Sequence, residues 1–230
     1  ALGGPGRAAV PWLTLSALIH IGYVSGLVAA YRHGDFSLAY PLARGSGAVV
    51  AAVGGGLLLG DRLPAAAWAA IVVVAVGLVG LVGRDVTGTT VRDALLTGCA
   101  IGAYTLADAR GARASPNPVA YGLITTSAAA TAISAMYLVR GRGPALVRAL
   151  PGHWRRWTLG GACTATAYAM VMVAIRHAEV GYVAMLRESS VVLGALIGWR
   201  VLREPLGGRR LVASVVVLVG LVGLVLARAA

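Results

Sequence analysis

Arg187 and Glu188 sit in the run LRESS (186–190), inside a stretch that is otherwise apolar from Val180 to Leu202. Arg44 lies in a similar stretch 143 residues earlier. A charged side chain at the centre of a membrane-spanning helix costs roughly 2.5–3.5 kcal/mol on insertion scales, so it faces a partner, a cavity or a solute path. Arginine stays protonated and presents five donors in a planar fork. At a bilayer midplane it binds a carboxylate or phosphate of a solute, or is held by Glu188 or Asp108. Neighbours on a helix point about 100° apart, so Arg187 and Glu188 do not face each other. Glu188 is therefore either a proton-coupling carboxylate or the counter-ion of Arg44. The plain alternative for all three is a buried ion pair that locks helix packing.

Other residues could join such a site. Tyr104 and Asp108 in YTLAD (104–108) share one helical face. Asp108 is a second proton-coupling candidate, or a partner for Arg110 or Arg113. Tyr40-Pro41 lies inside an apolar stretch, where proline removes a backbone donor and marks a hinge, a binding site or a plain kink. Ser189 flanks the charged pair. Tyr23, Tyr168 and Tyr182 are candidate cavity walls or ordinary packing residues, and His20 is a proton relay or a hydrogen-bonded core histidine.

The elements that must position these groups are membrane helices. The chain is 58% hydrophobic with mean hydropathy +0.81, far above a soluble domain. Bilayer-length apolar stretches recur over residues 11–31, 36–59, 65–83, 94–111, 117–139, 157–175, 180–202 and 210–227. The expected fold is an all-α integral membrane bundle. The formal charge of +12 comes from twenty arginines and no lysine, most of them in short loops where they anchor helix ends. It therefore does not indicate a nucleic-acid partner, and the Ala, Gly, Val and Arg bias suits a GC-rich bacterial genome. Cys99 and Cys163 fall within spans and read as small buried residues, without a disulfide or metal site. No enzyme motif is present: no paired-histidine metal motif, no G-x-S-x-G, no phosphate loop. No cofactor is expected.

The chain repeats itself. IVVVAVGLVGLV (71–82) and SVVVLVGLVGLV (214–225) match at ten of twelve positions. The same offset of 143 pairs Arg44 with Arg187, Ser46 with Ser189, Gly55 with Gly198, Asp61 with Glu204 and Leu63 with Leu206. At 144 it pairs Arg32-His33 with Arg176-His177 and Asp35 with Glu179. Charged anchors at one spacing indicate duplication. The copies are the second and seventh spans, so they cross in opposite directions, an inverted repeat of the kind secondary transporters use. The reading is a first repeat over 1–83, a loop over 84–93 and a second repeat over 94–230. The second repeat has two leading spans that the first lacks, which suggests eight spans of an original ten and a truncated start.

The motifs AYPLARG (39–45), LLLGDRL (57–63), AYTLADARGAR (103–113), VAMLRESSVVLGALIG (183–198) and VLREPL (201–206) resemble the EamA-like members of the drug/metabolite transporter superfamily. The resemblance covers nearly all of 11–227. It implies ten helices in two inverted five-helix repeats around a central cavity. It also implies export or exchange of small metabolites, amino acids or drugs across the inner membrane. By the same resemblance Tyr40, Pro41, Arg44, Tyr104, Arg187, Glu188 and Ser189 line or shape that cavity. Three features depart from the pattern: the first two helices are absent, Arg203 stands where glycine is usual, and Trp199-Arg200 loads a helix end.

Arginines divide twelve to six between the two membrane faces, with the termini on the poorer face. This conflicts with the family's usual orientation, in which the termini lie inside. The expected function is secondary transport of a small-molecule substrate by alternating access within the lipid bilayer, with a homodimer left open. The alternative is a non-transporting scaffold or partner subunit whose buried ions only lock packing.

Overall fold

The computed structural model describes residues 3–33, 36–80, 88–149, 152, 154–190 and 208–229. Asp35, Arg84, Gly194, Gly198, Trp199, Arg200, Arg203, Glu204, Leu206 and the later part of the seventh expected span lie outside these residues. So do the side chains of Arg32, His33, Tyr40 and Pro41.

The described elements are helical. They are α1 (Val10–His33), α2 (Phe36–Gly54), α3 (Ala65–Gly80), α4 (Gly88–Ala114), α5 (Pro118–Val139), α6 (Gly143–Ala149), α7 (Trp154–His177), α8 (Val180–Leu186) and α9 (Gly208–Ala229). A π-helical turn, Gly55–Leu59, follows α2 directly. Five described segments are long and apolar enough to cross a membrane: Arg7–Ala29, Leu42–Leu59, Pro118–Val139, Trp154–His177 and Val212–Ala229. α3 falls short at 16 residues. α4 has length to spare at 27 residues but carries Arg92, Asp93, Asp108, Arg110 and Arg113, which dilute its hydropathy. It also starts six residues earlier than the expected span at 94, because its polar first turns are helical too.

Apolar residues point outward as well as inward, as a bilayer permits. Val72, Val76 and Val79 of α3, and Val219, Val222 and Leu226 of α9, are each more than half exposed. Hydroxyls within the spans need partners where water is absent. Thr126, Thr131 and Thr164 each donate to the carbonyl four residues back, at 2.9, 2.8 and 2.8 Å. Cys99 and Cys163 correct the expectation of burial: both are exposed. A small, weakly polar side chain can sit on an apolar outward face as well as in a core.

The chain forms two compact units. One comprises Ala1–Val24 and Ala107–Ala178, the other Ser25–Leu106 and Glu179–Ala230. In the first, α5 begins with a built cap: the Asn117 side chain accepts the Ala120 amide at 3.0 Å and Pro118 occupies the first turn. It ends at Gly141, whose φ of 70° is left-handed, with the Arg142 amide donating to the Tyr137 carbonyl at 2.9 Å. α5 packs closely on α7, because a Cβ on Gly122 would lie 2.7 Å from the Ala169 Cα. Arg113 donates to the carbonyls of Ile175 and Ala178, both at 3.4 Å. Arg176 donates to those of Ser115 and Pro116 at 2.9 and 3.1 Å. Each arginine thus satisfies carbonyls that the other's helix end leaves open.

In the second unit, α3 and α9 touch through glycines in a reciprocal pattern. A Cβ on Gly77 would lie 2.7 Å from Val217 Cγ2 and 2.8 Å from its backbone nitrogen. A Cβ on Gly220 would lie 2.7 Å from Val74 Cγ2 and 2.9 Å from its nitrogen. Gly80 opposes Ala213 and Gly223 opposes Ala70 in the same way, at 3.4 and 3.6 Å. Every one of these pairs maps onto its mate by the 143-residue offset. Small residues at such contacts let helix backbones approach, which replaces the missing hydrophobic drive inside lipid. α2 and α4 use the same device, with Gly98 against Ser46 and Ala43, and Gly102 against Val50.

Candidate functional site

Two buried polar centres stand out, one in each unit. In the second unit, α2 carries Arg44 with buried small residues on either side, Ala43 and Gly45. Its Nη2 lies 3.0 Å from Oε1 of Glu188, with side-chain exposures of 16% and 3%. The sequence left Glu188 open between proton carrier and counter-ion of Arg44, and the structure brings these two together. A buried pair of this kind neutralises its own charge, while removal of either member strands the other. Among the described residues, Oε2 of Glu188 has no hydrogen-bond partner, so half of the carboxylate still has acceptor capacity.

The helix around Glu188 differs from the sequence expectation. Residues 187 and 188 are not inside an uninterrupted helix, because α8 ends at Leu186 and both lie in a turn. The Arg187 amide still reaches four residues back, to Val183 at 3.2 Å, but the Glu188 amide reaches only three, to Met185 at 2.9 Å. Ser189 and Ser190 follow this tightening, and their hydroxyls donate to the carbonyls of Leu186 and Arg187 at 2.7 and 2.9 Å. Ser189, expected to meet a solute, satisfies a helix-end carbonyl instead of projecting an uncommitted hydroxyl. No glycine or proline marks the break. It falls where Glu188 meets Arg44.

The other centre is Asp108 on α4, fully buried. Tyr121 of α5 donates to its Oδ1 at 3.0 Å, and Tyr168 of α7 donates to its Oδ2. Two phenols on one carboxylate make a hydrogen-bonded acid site spanning three helices. Tyr168, read from the sequence as a cavity wall or an ordinary packing residue, is found donating to Asp108. Tyr121 was not singled out from the sequence. It lies 13 residues from Asp108 on a different helix, and Gly111 supplies its space, since a Cβ there would collide with the phenol ring. Because Tyr121 is wholly buried, Tyr121→Phe should lower stability by about 1.5–3 kcal/mol, the worth of a hydrogen bond to a charged group. Tyr168→Phe, at a partly exposed position, should cost less. Thermal unfolding in detergent reads both.

Among the remaining candidates, Tyr104 is buried on α4. His20 bonds through Nδ1 to the Ser16 carbonyl at 2.8 Å and meets Tyr23 edge to face at 6.0 Å, the hydrogen-bonded alternative. Tyr182 lies under the Arg228 guanidinium at 5.7 Å, and Arg110 lies over Trp12 at 5.9 Å. An open cavity of about 610 Å³ runs along the exposed first half of α7, lined by Arg156, Trp157, Gly160, Gly161 and Thr164. None of the residues expected from the sequence lines it. No cluster among the described residues has the histidine, cysteine and carboxylate set that a metal ion needs.

Bilayer-length apolar helices packed through glycine, with charged and phenolic groups paired in their interior, define a multi-pass membrane protein. The chain belongs to the EamA-like transporter family, whose model matches residues 94–226. It is a membrane transporter of the drug/metabolite type. A solved crystal structure described only as "Crystal structure of protein" is 19% identical, with TM-score 0.60 over 97% of this chain and 90% of that one, a likeness of fold. No curated protein matches the chain.

Proposed function

We propose that the protein is a secondary transporter that exports small organic solutes across a bacterial inner membrane by alternating access of two inverted repeats. The observation that carries this reading is the Arg44–Glu188 pair, buried at 3.0 Å beside the break that follows α8. Broken helices at such points are where transporters bind solute and coupling ion. The reciprocal glycine contacts of α3 and α9 support the inverted repeat.

The pair suggests how proton and solute are coupled. With Glu188 ionised, Arg44 is occupied by it. Protonation at Oε2 removes that counter-charge and leaves the guanidinium to a carboxylate or phosphate on the solute. Return of the proton to its acceptor side restores the pair and expels the solute. Asp108, held by Tyr121 and Tyr168, is a second candidate proton-coupling carboxylate. The favoured substrates are therefore anionic or zwitterionic metabolites, amino acids or drugs. Arg187, Tyr40, Pro41 and Tyr104 are proposed to shape the same path.

The competing reading is that the buried ions only lock packing, as in a scaffold, and the direct pairing of Arg44 with Glu188 favours it over a permanently open anion site. Collapse of an imposed proton gradient in inverted vesicles separates the two. Solute movement should fall at least tenfold if Glu188 couples it to protons. A rate that ignores the gradient contradicts the coupling.

A further inference from the structure

We propose that Asp61 is a positioning residue for the Arg44–Glu188 pair. Its carboxylate holds the start of α8 and so sets where Glu188 meets Arg44. This rests on the transport reading only for its functional consequence.

The first amide of α8, on Val180, donates to Oδ2 of Asp61 at 2.7 Å. The residue placed to cap that helix is Glu179, yet its side chain makes no capping bond. The Asp61 carboxylate, 119 residues before Val180, does the capping instead. An acid at a helix N-terminus satisfies an orphan amide and complements the positive end of the dipole.

The chain is built to deliver that carboxylate. α2 runs into the π-helical turn Gly55–Leu59, and Gly60 ends it with a left-handed φ of 73°. The Asp61 amide then reaches back to the Gly55 carbonyl at 3.1 Å. Gly55 leaves the carboxylate room, since a Cβ there would lie 3.0 Å from Oδ2, a tight contact, and 3.5 Å from the Val180 Cβ, an ordinary one. Gly181 allows a close approach in the same place, because a Cβ there would lie 2.7 Å from Leu63 Cδ1 and 3.2 Å from the Ala52 Cβ. The start of α8 therefore lies on the last turns of α2, with residues 61–63 strapped across it.

The two ion contacts oppose each other. The α2 segment gives Asp61 to the first residue of α8, and the segment after α8 gives Glu188 to Arg44 near the middle of α2. α8 from Val180 to Leu186 and α2 from Arg44 to Gly54 rise about 9 and 15 Å, at about 1.5 Å per residue. The element that carries Glu188 is thus pinned to α2 at both ends. Release of one pin misplaces the other.

Hydrogen exchange on the whole protein tests the first link without any transport assay. In Asp61→Ala, amides of 180–185 should exchange at least tenfold faster than in the native protein. Asp61→Asn keeps an acceptor oxygen and should stay within about threefold of native. Should Asp61→Ala not fold, Gly55→Ala crowds the carboxylate and should raise exchange in the same peptide. The second link is a double-mutant cycle. The Tm drop caused by Glu188→Gln should be at least halved in the background of Asp61→Ala or, failing that, Gly55→Ala. Native exchange rates in Asp61→Ala or, where that variant does not fold, in Gly55→Ala, or full additivity in the cycle, would overturn the proposal. Both readouts stand whether or not the protein exports a solute. If they hold and transport is absent, the positioning role survives and the transport reading fails.

Discussion

Glu188→Ala is expected to destabilise the protein by about 3–5 kcal/mol, because it strands the Arg44 guanidinium in a buried site without its counter-charge. Arg44→Ala should cost a similar amount for the same reason, with Glu188, 3% exposed, left behind. Replacing both at once separates fold from function. A buried ion pair exchanged for apolar side chains of similar volume is often neutral or stabilising. The variant Arg44→Met with Glu188→Met should therefore unfold at or above the native temperature while transporting nothing. If the pair only locks packing, the double variant would keep whatever activity the native protein has. Tryptophan fluorescence on heating reads stability, since the chain carries five tryptophans.

The second large effect is expected at the α3–α9 contact. Gly77→Leu drives a side chain into Val217, whose backbone nitrogen lies 2.8 Å from where the new Cβ would sit. A rotamer change cannot move a backbone atom, so the helices must part. The cost should reach about 3 kcal/mol or more, at or beyond the usual range for overpacking. Gly220→Leu faces the mirrored clash with Val74 and should cost the same within about 0.5 kcal/mol. The two together should cost less than their sum, since the first already opens the shared contact. Gly22→Leu is the control: nothing lies within 4 Å of its Cβ position, and its effect should stay within about 0.5 kcal/mol. Markedly unequal losses for Gly77 and Gly220 would contradict the reciprocal packing.

Much of this architecture is legible in the residues. A charge inside an apolar run is conspicuous, so Arg44, Arg187, Glu188 and Asp108 stand out without a structure. The 143-residue offset foreshadows the α3–α9 contact, because duplicated helices bring duplicated glycines to a common seam. Four things were not legible. Whether Glu188 pairs with Arg44 is a tertiary fact, since periodicity only says that Arg187 points elsewhere. The interruption at 187–188 lacks the glycine or proline that would announce it, and follows from contacts made across the fold. Asp61 reads as an ordinary loop anchor, and nothing local ties it to Val180. Tyr121 was missed for the same reason: a tyrosine three residues into α5 looks like an interface residue until α4 places Asp108 beneath it.

The measurement that tests the central claim most directly is an export comparison. Cells would carry the native protein, the Arg44→Met with Glu188→Met variant, or neither, with membrane insertion checked in each, and the medium would be profiled for small organic solutes. At least one anionic or zwitterionic solute should accumulate outside only with the native protein. Identical media from all three, with both proteins folded and inserted, would contradict transport through this site.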